Sequence, residues 1–485
     1  MKHTAKLLVV LALILAFCSC STDPGKVETE PAATTDAPVQ SGTETEPEPE
    51  TRSDVDDIPT DANLNGADFV IFTRTSVPWL NSMFDVEEMT GEPINDAIYE
   101  RNRSVEARLN TVISEDHFDD VDSRIDEIIM SGETRYGMCA ITDRIGYAKI
   151  LEGYMYDTSD LPYIDLEKQY WQQAVNDAMS IGGKYYLLSG NYNLTTYDYT
   201  HALLFNKYLW DILQFDDIYT TVKKGEWTFD AFGTVTAAAL TDLNGDGQMD
   251  NQDQYGYASV VTEVLPTFWV SAGETIMVKD KDGYIQYNLP GNERFVDVIN
   301  KTFSITVDNN GTGIGIDWGE FQSGTMFKNN QFLLYNSTFG RIPIMRDMDV
   351  DFGIIPYPKY TLEQKQYYSN NDGGKYAFVP SSNVTPVDAS MVIEALASTS
   401  KTVYTAYYDV SLKAKATRDR ESLEMLEIIF DTRVLDLGRT MWQELFVEKM
   451  ARPMFENNDR NMSSLLASFE SMVQEDVKRI NESAK

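Results

Sequence analysis

The alternation of apolar and polar positions sets in abruptly at Ala67. "ADFVIFT" (67–73) is a continuous apolar run closed by polar residues, which predicts a parallel strand buried on both faces. "INDAIYERNRSVEARL" (94–109) has helical spacing, "NTVISE" (110–115) reads as a second strand, and "VDSRIDEIIMSG" (121–132) as a helix stopped by Gly132. "YGMCAIT" (136–142) is a third strand. Strands alternating with helices imply crossover units and a parallel sheet, so the fold class is α/β. Ligands of such sheets collect beyond the carboxyl ends of the strands, here residues 74–79 and Asp143-Arg144.

Further along, "THALLFNKYLW" (200–210) is a strand running into a helix, and "FLLYN" (332–336), "DFGIIPYPK" (351–359) and "GKYAFVP" (374–380) read as strands. Beyond about Asp388 the chain is largely helical.

What precedes Ala67 is of another kind. Lys2 and Lys6 followed by the apolar run 7–17 form an export signal, too short to span a bilayer of roughly 30 Å. It ends in Cys18-Ser19-Cys20. A small residue before a cysteine fits a lipoprotein signal, with residues 1–19 removed and Cys20 lipidated; Phe17-Cys18 fits less well, and an ordinary secretory signal is the alternative. From 20 to 63 the chain is rich in Thr, Pro and Glu, with twelve acidic and two basic residues between 21 and 63, and reads as a solvated tether. Cys139 is the third cysteine, and with Cys20 lipidated it has no partner for a disulfide.

The 485 residues carry a formal net charge of −36, which argues against nucleic-acid binding, because phosphate neutralisation needs clustered Lys and Arg. A neutral polyol or sugar carries no such penalty. At 42% hydrophobic and 12% aromatic the chain has ample material for a core.

One local motif carries its own chemistry. In "DLNGDGQMDNQD" (242–253), oxygen side chains fall at loop positions 1, 3, 5, 9 and 12, with Gly at position 6. That spacing wraps a hard cation such as Ca²⁺. The candidate ligands are Asp242, Asn244, Asp246, Gln248, Asp250 and Asp253, with the position 7 carbonyl of Gln248 adding a ligand. Asp253 stands where a longer Glu is usual, and an acidic turn that binds nothing is the alternative.

The order of motifs then becomes informative. "LPYIDLEKQYW" (161–171), "GGKYYLLSG" (182–190), "LLFNKYLWD" (203–211), "GEWTFDAF" (225–232), the calcium-type loop running into "DQYGYA", "FQSGTMFKNNQFLLYN" (321–336) and "DFGIIPYPK" follow one another. This succession resembles the family 1 extracellular solute-binding proteins, the maltose-binding-like receptors of carbohydrate importers, from about residue 66 to residue 470. Phe205-Asn206-Lys207, Trp227-Thr228-Phe229-Asp230 and Pro356-Tyr357-Pro358-Lys359 match places where that family carries similar motifs. "FDVEEMTGEPINDAIYERNRSVEARLN" looks like the opening of a clostridial branch of such lipoproteins. The resemblance implies a two-lobed, periplasmic-binding-protein-like type II fold with hinge crossovers and a helical C-terminal tail. Lobe 1 would comprise 64–193 plus 357–412, and lobe 2 would comprise 194–356 plus 413–485. It also implies a small solute, most readily a sugar or oligosaccharide, handed to an ABC permease from the outer face of a Gram-positive cell membrane.

Sugars are held by flat aromatic faces and planar polar groups. Trp79 and Asp143 are candidates beyond the first and third strands, and Asn193 and Tyr197 near the expected first crossing. Trp269 lies where the family often places a cleft residue, and Asn336 and Arg341 flank the loop after "FLLYN". Two other classes stay open: a secreted carbohydrate-active hydrolase and a calcium-stabilised surface adhesion protein. Nothing marks a catalytic carboxylate pair, and with only His3, His117 and His201 a histidine-based catalytic site has little to build on.

Overall fold

The computed structural model describes residues 54–75, 80–309, 319–416 and 419–485. The export signal, both cysteines at its end, the tether up to residue 53 and Trp79 lie outside the described residues.

β1 (Ala67–Arg74), β2 (Thr111–Phe118) and β3 (Tyr136–Thr142) form a parallel sheet with β1 in the middle. Five consecutive residues of β1, 69 to 73, are buried, as a strand covered on both faces requires. Phe69 and Ile71 join a core with Val105 and Leu109 of the helix Pro93–Leu109. Val70 and Phe72 point the other way, to Ile125 and Ile128 of the helix Val121–Ser131. Local chemistry sets the ends of these helices. Pro93 opens the first, and Asn110 closes it in the left-handed region at φ 50°. The Asp120 carboxylate accepts from the Ser123 N–H to cap the second, and Gly132 ends it at φ 70°.

The last ten residues of the stretch read as tether are docked on this half. Ile58 is buried in the same core as Phe69, Asp56 pairs with Arg108 at 2.6 Å, and Asp57 with Lys168 at 2.9 Å. Acidic composition hid one apolar anchor and three ion pairs, the third joining Asp54 to Lys401 at 3.4 Å.

The second half is built on another four-stranded sheet. It comprises β4 (His201–Asn206), β5 (Tyr255–Ala258), β8 (Phe332–Thr338) and β9 (Phe352–Ile355), in the order β5-β8-β4-β9. Between them β6 (Met277–Lys279) and β7 (Ile285–Tyr287) make a separate hairpin. β5 runs parallel to β8, and β4 antiparallel to β8 and β9. Asn206 caps the helix after β4 by accepting from the Leu209 N–H at 2.9 Å. Trp227 is buried and donates to the Pro356 carbonyl at 3.1 Å, which locks the start of the helix Phe229–Ala238 to the end of β9.

After β10 (Ser369–Asn371) the chain returns to the first sheet as β11 (Lys375–Phe378), antiparallel to β3. Thr200 bridges to Asn371, and β12 (Arg433–Leu435) pairs with β10. The two passages are stitched by side chains. The Asn193 amide donates to the Lys375 carbonyl, the Thr195 hydroxyl accepts from the Lys375 N–H at 2.8 Å, and the Asn371 amide donates to the Thr196 carbonyl. Beyond Pro386 the chain is mostly helical, ending in the helix Met462–Ser483. Cys139 is buried in β3 and unpaired, and burial pushes its thiol far above the ordinary range. Among the described residues no helix is long and apolar enough to cross a membrane.

Candidate ligand-binding site

β5 and β8 run parallel, with Ala258 at the end of β5 opposite Tyr335 and β8 continuing to Thr338. The chain beyond both ends, together with the passage between the sheets, encloses a cavity of about 180 Å³. Ser259 and Glu263 come from the start of the helix Val261–Ser271, Asn336 and Thr338 from β8, and Arg341 from the turn Phe339–Met345. Tyr199, His201 and Asp372 come from the two passages. The location follows the rule for open α/β sheets.

A charged cluster forms one wall. His201 Nε2 lies 3.3 Å from Asp372 Oδ2 and 3.4 Å from Glu263 Oε2. Arg439 donates to Glu263 and stands 3.3 Å from Asp372. Burial works against the Asp372 carboxylate, but Arg439 and His201 outweigh it and hold its pKa well below the usual range. Burial also opposes charge on His201, and Asp372 and Glu263 reverse the balance and push its pKa above the ordinary value. His201, Glu263 and Asp372 have ligand atoms within 4.8 Å of one another, as a metal site would. The Arg439 guanidinium already compensates both carboxylates, which argues against a second cation there.

Two of the sequence candidates meet in this cavity, Asn336 and Arg341. Asn336 Oδ1 lies 3.1 Å from His201 Nδ1 and accepts from the Tyr357 hydroxyl at 2.8 Å. Asp143 is outside the lining but close by: a Cβ on Gly373 would sit 3.1 Å from its Oδ1. Burial pushes its pKa up to about 6, with Arg144 opposing. The other described candidates lie outside this cavity, and Tyr197 lines a separate groove with Trp171 and Arg433. Asn193 holds the return passage, with its Oδ1 accepting from Thr195. Tyr197 packs against Tyr404, Tyr407 and Phe430, with the Arg433 guanidinium 4.3 Å from its ring centre. Trp269 is fully buried and donates to Asp436 at 3.0 Å, so its polar edge is spent inside the core. Trp79 falls outside the described residues.

His201, Glu263, Asp372 and Tyr199 were not among the sequence candidates. His201 opens a strand of solid apolar residues, which was the one available signal. Glu263 and Asp372 enter the cavity only through long-range packing.

A second cavity, about 300 Å³, lies between the segment 80–98 and the turn Phe339–Met345. In its wall the Asp198 carboxylate accepts from the Asn81 N–H at 2.6 Å and the Tyr407 hydroxyl at 2.9 Å, and burial pushes its pKa up to about 7.

The loop 242–253 is closed by its own carboxylates. Asp242 accepts from the N–H groups of Gly245 and Gly247, both left-handed at φ 74° and 81°. Asp253 accepts from Leu243 and Asp250 at 2.9 and 2.8 Å. Asn244 and Asp246 each accept from the residue two ahead. Hard oxygen donors gathered on one tight loop suit Ca²⁺ in kind.

No family model matches the chain, and no curated protein matches it in sequence. Solved structures do match it. A cyclo/maltodextrin-binding protein complexed with maltotetraose aligns over 86% of this chain and 96% of its own, at 14% identity and a TM-score of 0.58. An ABC substrate-binding protein from Listeria monocytogenes, in complex with cycloalternan, aligns over 87% and 99%, at 12% identity and a TM-score of 0.54. A maltose/maltodextrin-binding domain from Bdellovibrio bacteriovorus, bound to maltotriose, aligns over 86% and 98%, at 13% identity and a TM-score of 0.51. The fold is the two-lobed, periplasmic-binding-protein-like α/β fold. At these identities the likeness is one of fold.

Proposed function

We propose that this chain is an exported receptor that captures a small carbohydrate and delivers it to an ABC permease, doing no chemistry on it. The observation that carries this is the cavity walled by His201, Asn336, Arg341 and Asp372 where the chain passes between two α/β sheets. Structures of the same fold that hold oligosaccharides support it. The division into two lobes is supported by the two separate sheets, with the return passage near 371–375 rather than at 357, because Lys359 bridges to Thr228 and Tyr357 bonds Tyr257 within the second half. Closure of the lobes on solute would report occupancy to the permease.

The receptor is held through lipidated Cys20 and an acidic tether on the outer face of a Gram-positive cell membrane, a reading supported by the export-signal pattern and the Ser19-Cys20 pair. Asp242, Asn244, Asp246, Gln248, Asp250 and Asp253 hold a structural Ca²⁺ that keeps the loop closed, a reading supported by the oxygen spacing and the left-handed glycines.

Native mass spectrometry after incubation with a mixed pool of glycans and peptides tests the function. A sugar retained on the protein and recovered unchanged supports it. A sugar recovered cleaved, or retention of peptides alone, overturns it.

A further inference from the structure

The cavity that serves as solute site in the reading above has features that set the size of its ligand. Its volume is about 180 Å³. Sites for drug-sized ligands start at roughly 300 Å³. Short polar side chains and charged heads share the wall with Tyr199, Tyr335 and Val260, and among the described residues no tryptophan lines it. A sugar chain needs aromatic platforms in series, whereas a single ring can be held at its edges by hydrogen bonds.

Three polar atoms in this wall have no well-aligned hydrogen-bond partner in the protein: His201 Nε2, which meets the carboxylates of Asp372 and Glu263 only as ion-pair contacts at 3.3 and 3.4 Å, Asp372 Oδ1 and Thr338 Oγ1. His201 and Thr338 are 2% and 8% exposed, so water reaches them poorly. They are cross-strand partners, which puts two of the three side by side. Buried polar atoms are nearly always satisfied, so three together in one cavity point to a ligand that supplies the missing partners. Asp372 Oδ1 requires a donor, while Thr338 Oγ1 takes either role. Vicinal hydroxyls, each both donor and acceptor, answer all three, and a neutral ring leaves the balanced cluster of His201, Asp372, Glu263 and Arg439 undisturbed.

We propose that the site takes one neutral polyhydroxylated ring, a monosaccharide or cyclitol, held by hydrogen bonds to His201, Thr338 and Asp372, rather than an oligosaccharide. The inference rests on the receptor reading and narrows it.

Thr338→Val is the sharpest variant, because it deletes an oxygen that bonds nothing in the protein and leaves the fold's hydrogen bonds in place. Calorimetric titration would compare wild type and variant against glucose, galactose, mannose, fructose, xylose, arabinose and myo-inositol, and against maltotriose and maltotetraose. The expected result is saturable binding of at least one single-ring compound, weakened about tenfold by Thr338→Val, with no binding of the longer chains. Binding of the longer chains without any single ring overturns the size inference and leaves the receptor reading intact. Single-ring binding that Thr338→Val does not weaken also overturns it, since the ring then sits elsewhere. A protein that binds a peptide and no carbohydrate overturns both.

Discussion

The Nδ1 of His201 lies 3.1 Å from the Oδ1 of Asn336, across the pairing of β4 with β8. The same oxygen accepts from Tyr357, whose hydroxyl is 2.8 Å from that of Tyr257. This chain of polar contacts runs from the core of the second half to the cavity wall and fixes the His201 ring. Asn336→Ala removes its central member. It should weaken solute binding about tenfold and lower stability by about 1–3 kcal/mol, read by titration calorimetry and urea unfolding. Unchanged affinity would separate Asn336 from the solute site.

Trp269 should behave in the opposite way. Trp269→Phe loses the hydrogen bond to Asp436, an aspartate that also accepts from the Ile276 and Gly438 N–H groups and so anchors the C-terminal segment. A stability loss of about 1–3 kcal/mol with unchanged solute affinity is expected. A selective loss of affinity would return Trp269 to the ligand.

Much of this was legible in the chain. The strands β1 to β3 and their helices announce themselves through continuous apolar runs and through caps such as Asp120 and Gly132, because local sequence decides them. Asn336 and Arg341 line the cavity because one lies near the end of β8 and the other in the turn that follows it. Trp269 misled because an aromatic residue carries the same chemistry in a core as in a cleft, and only the position of Asp436, far along the chain, decides between them. Asp372 and Glu263 were invisible for the same reason: what brings them to the cavity wall is their meeting at His201.

The docked segment ahead of Ala67 gives a prediction on stability. A body beginning at residue 64 lacks Ile58 and the Asp56–Arg108 pair, whereas one beginning at 54 keeps both. The shorter form should be less stable by about 2–5 kcal/mol, the cost of losing a buried aliphatic side chain, measured by thermal unfolding of the two forms. Equal stability would show that 54–63 contributes nothing to the fold.

Stability should also fall as pH rises from about 5 to about 8. Burial pushes Glu394 and Asp198 up to about 7, and Asp143 and Asp436 up to about 6. A carboxyl with its folded pKa raised stabilises the fold below its unfolded pKa, and this contribution is lost as pH climbs through the folded value. Glu394 accepts from Tyr170 and from Trp171 at 3.1 Å, so Glu394→Gln keeps a neutral acceptor there and should flatten the decline. A melting temperature that rises over the same range would contradict this.

Chelation tests the loop 242–253. Removing Ca²⁺ should lower the melting temperature by several degrees and leave solute affinity unchanged, and Asp242→Ala should abolish the difference between chelated and calcium-loaded protein. No shift on chelation would leave the loop an acidic turn held by its own Asx contacts.

The central claim is that a carbohydrate is captured and released unaltered, and thermal unfolding of the protein against a panel of sugars tests it most directly. The account predicts that at least one carbohydrate raises the melting temperature in a saturable way and is recovered intact afterwards. A panel of mono- and oligosaccharides that leaves the melting temperature unmoved, or a sugar that stabilises the protein and is consumed, would contradict it.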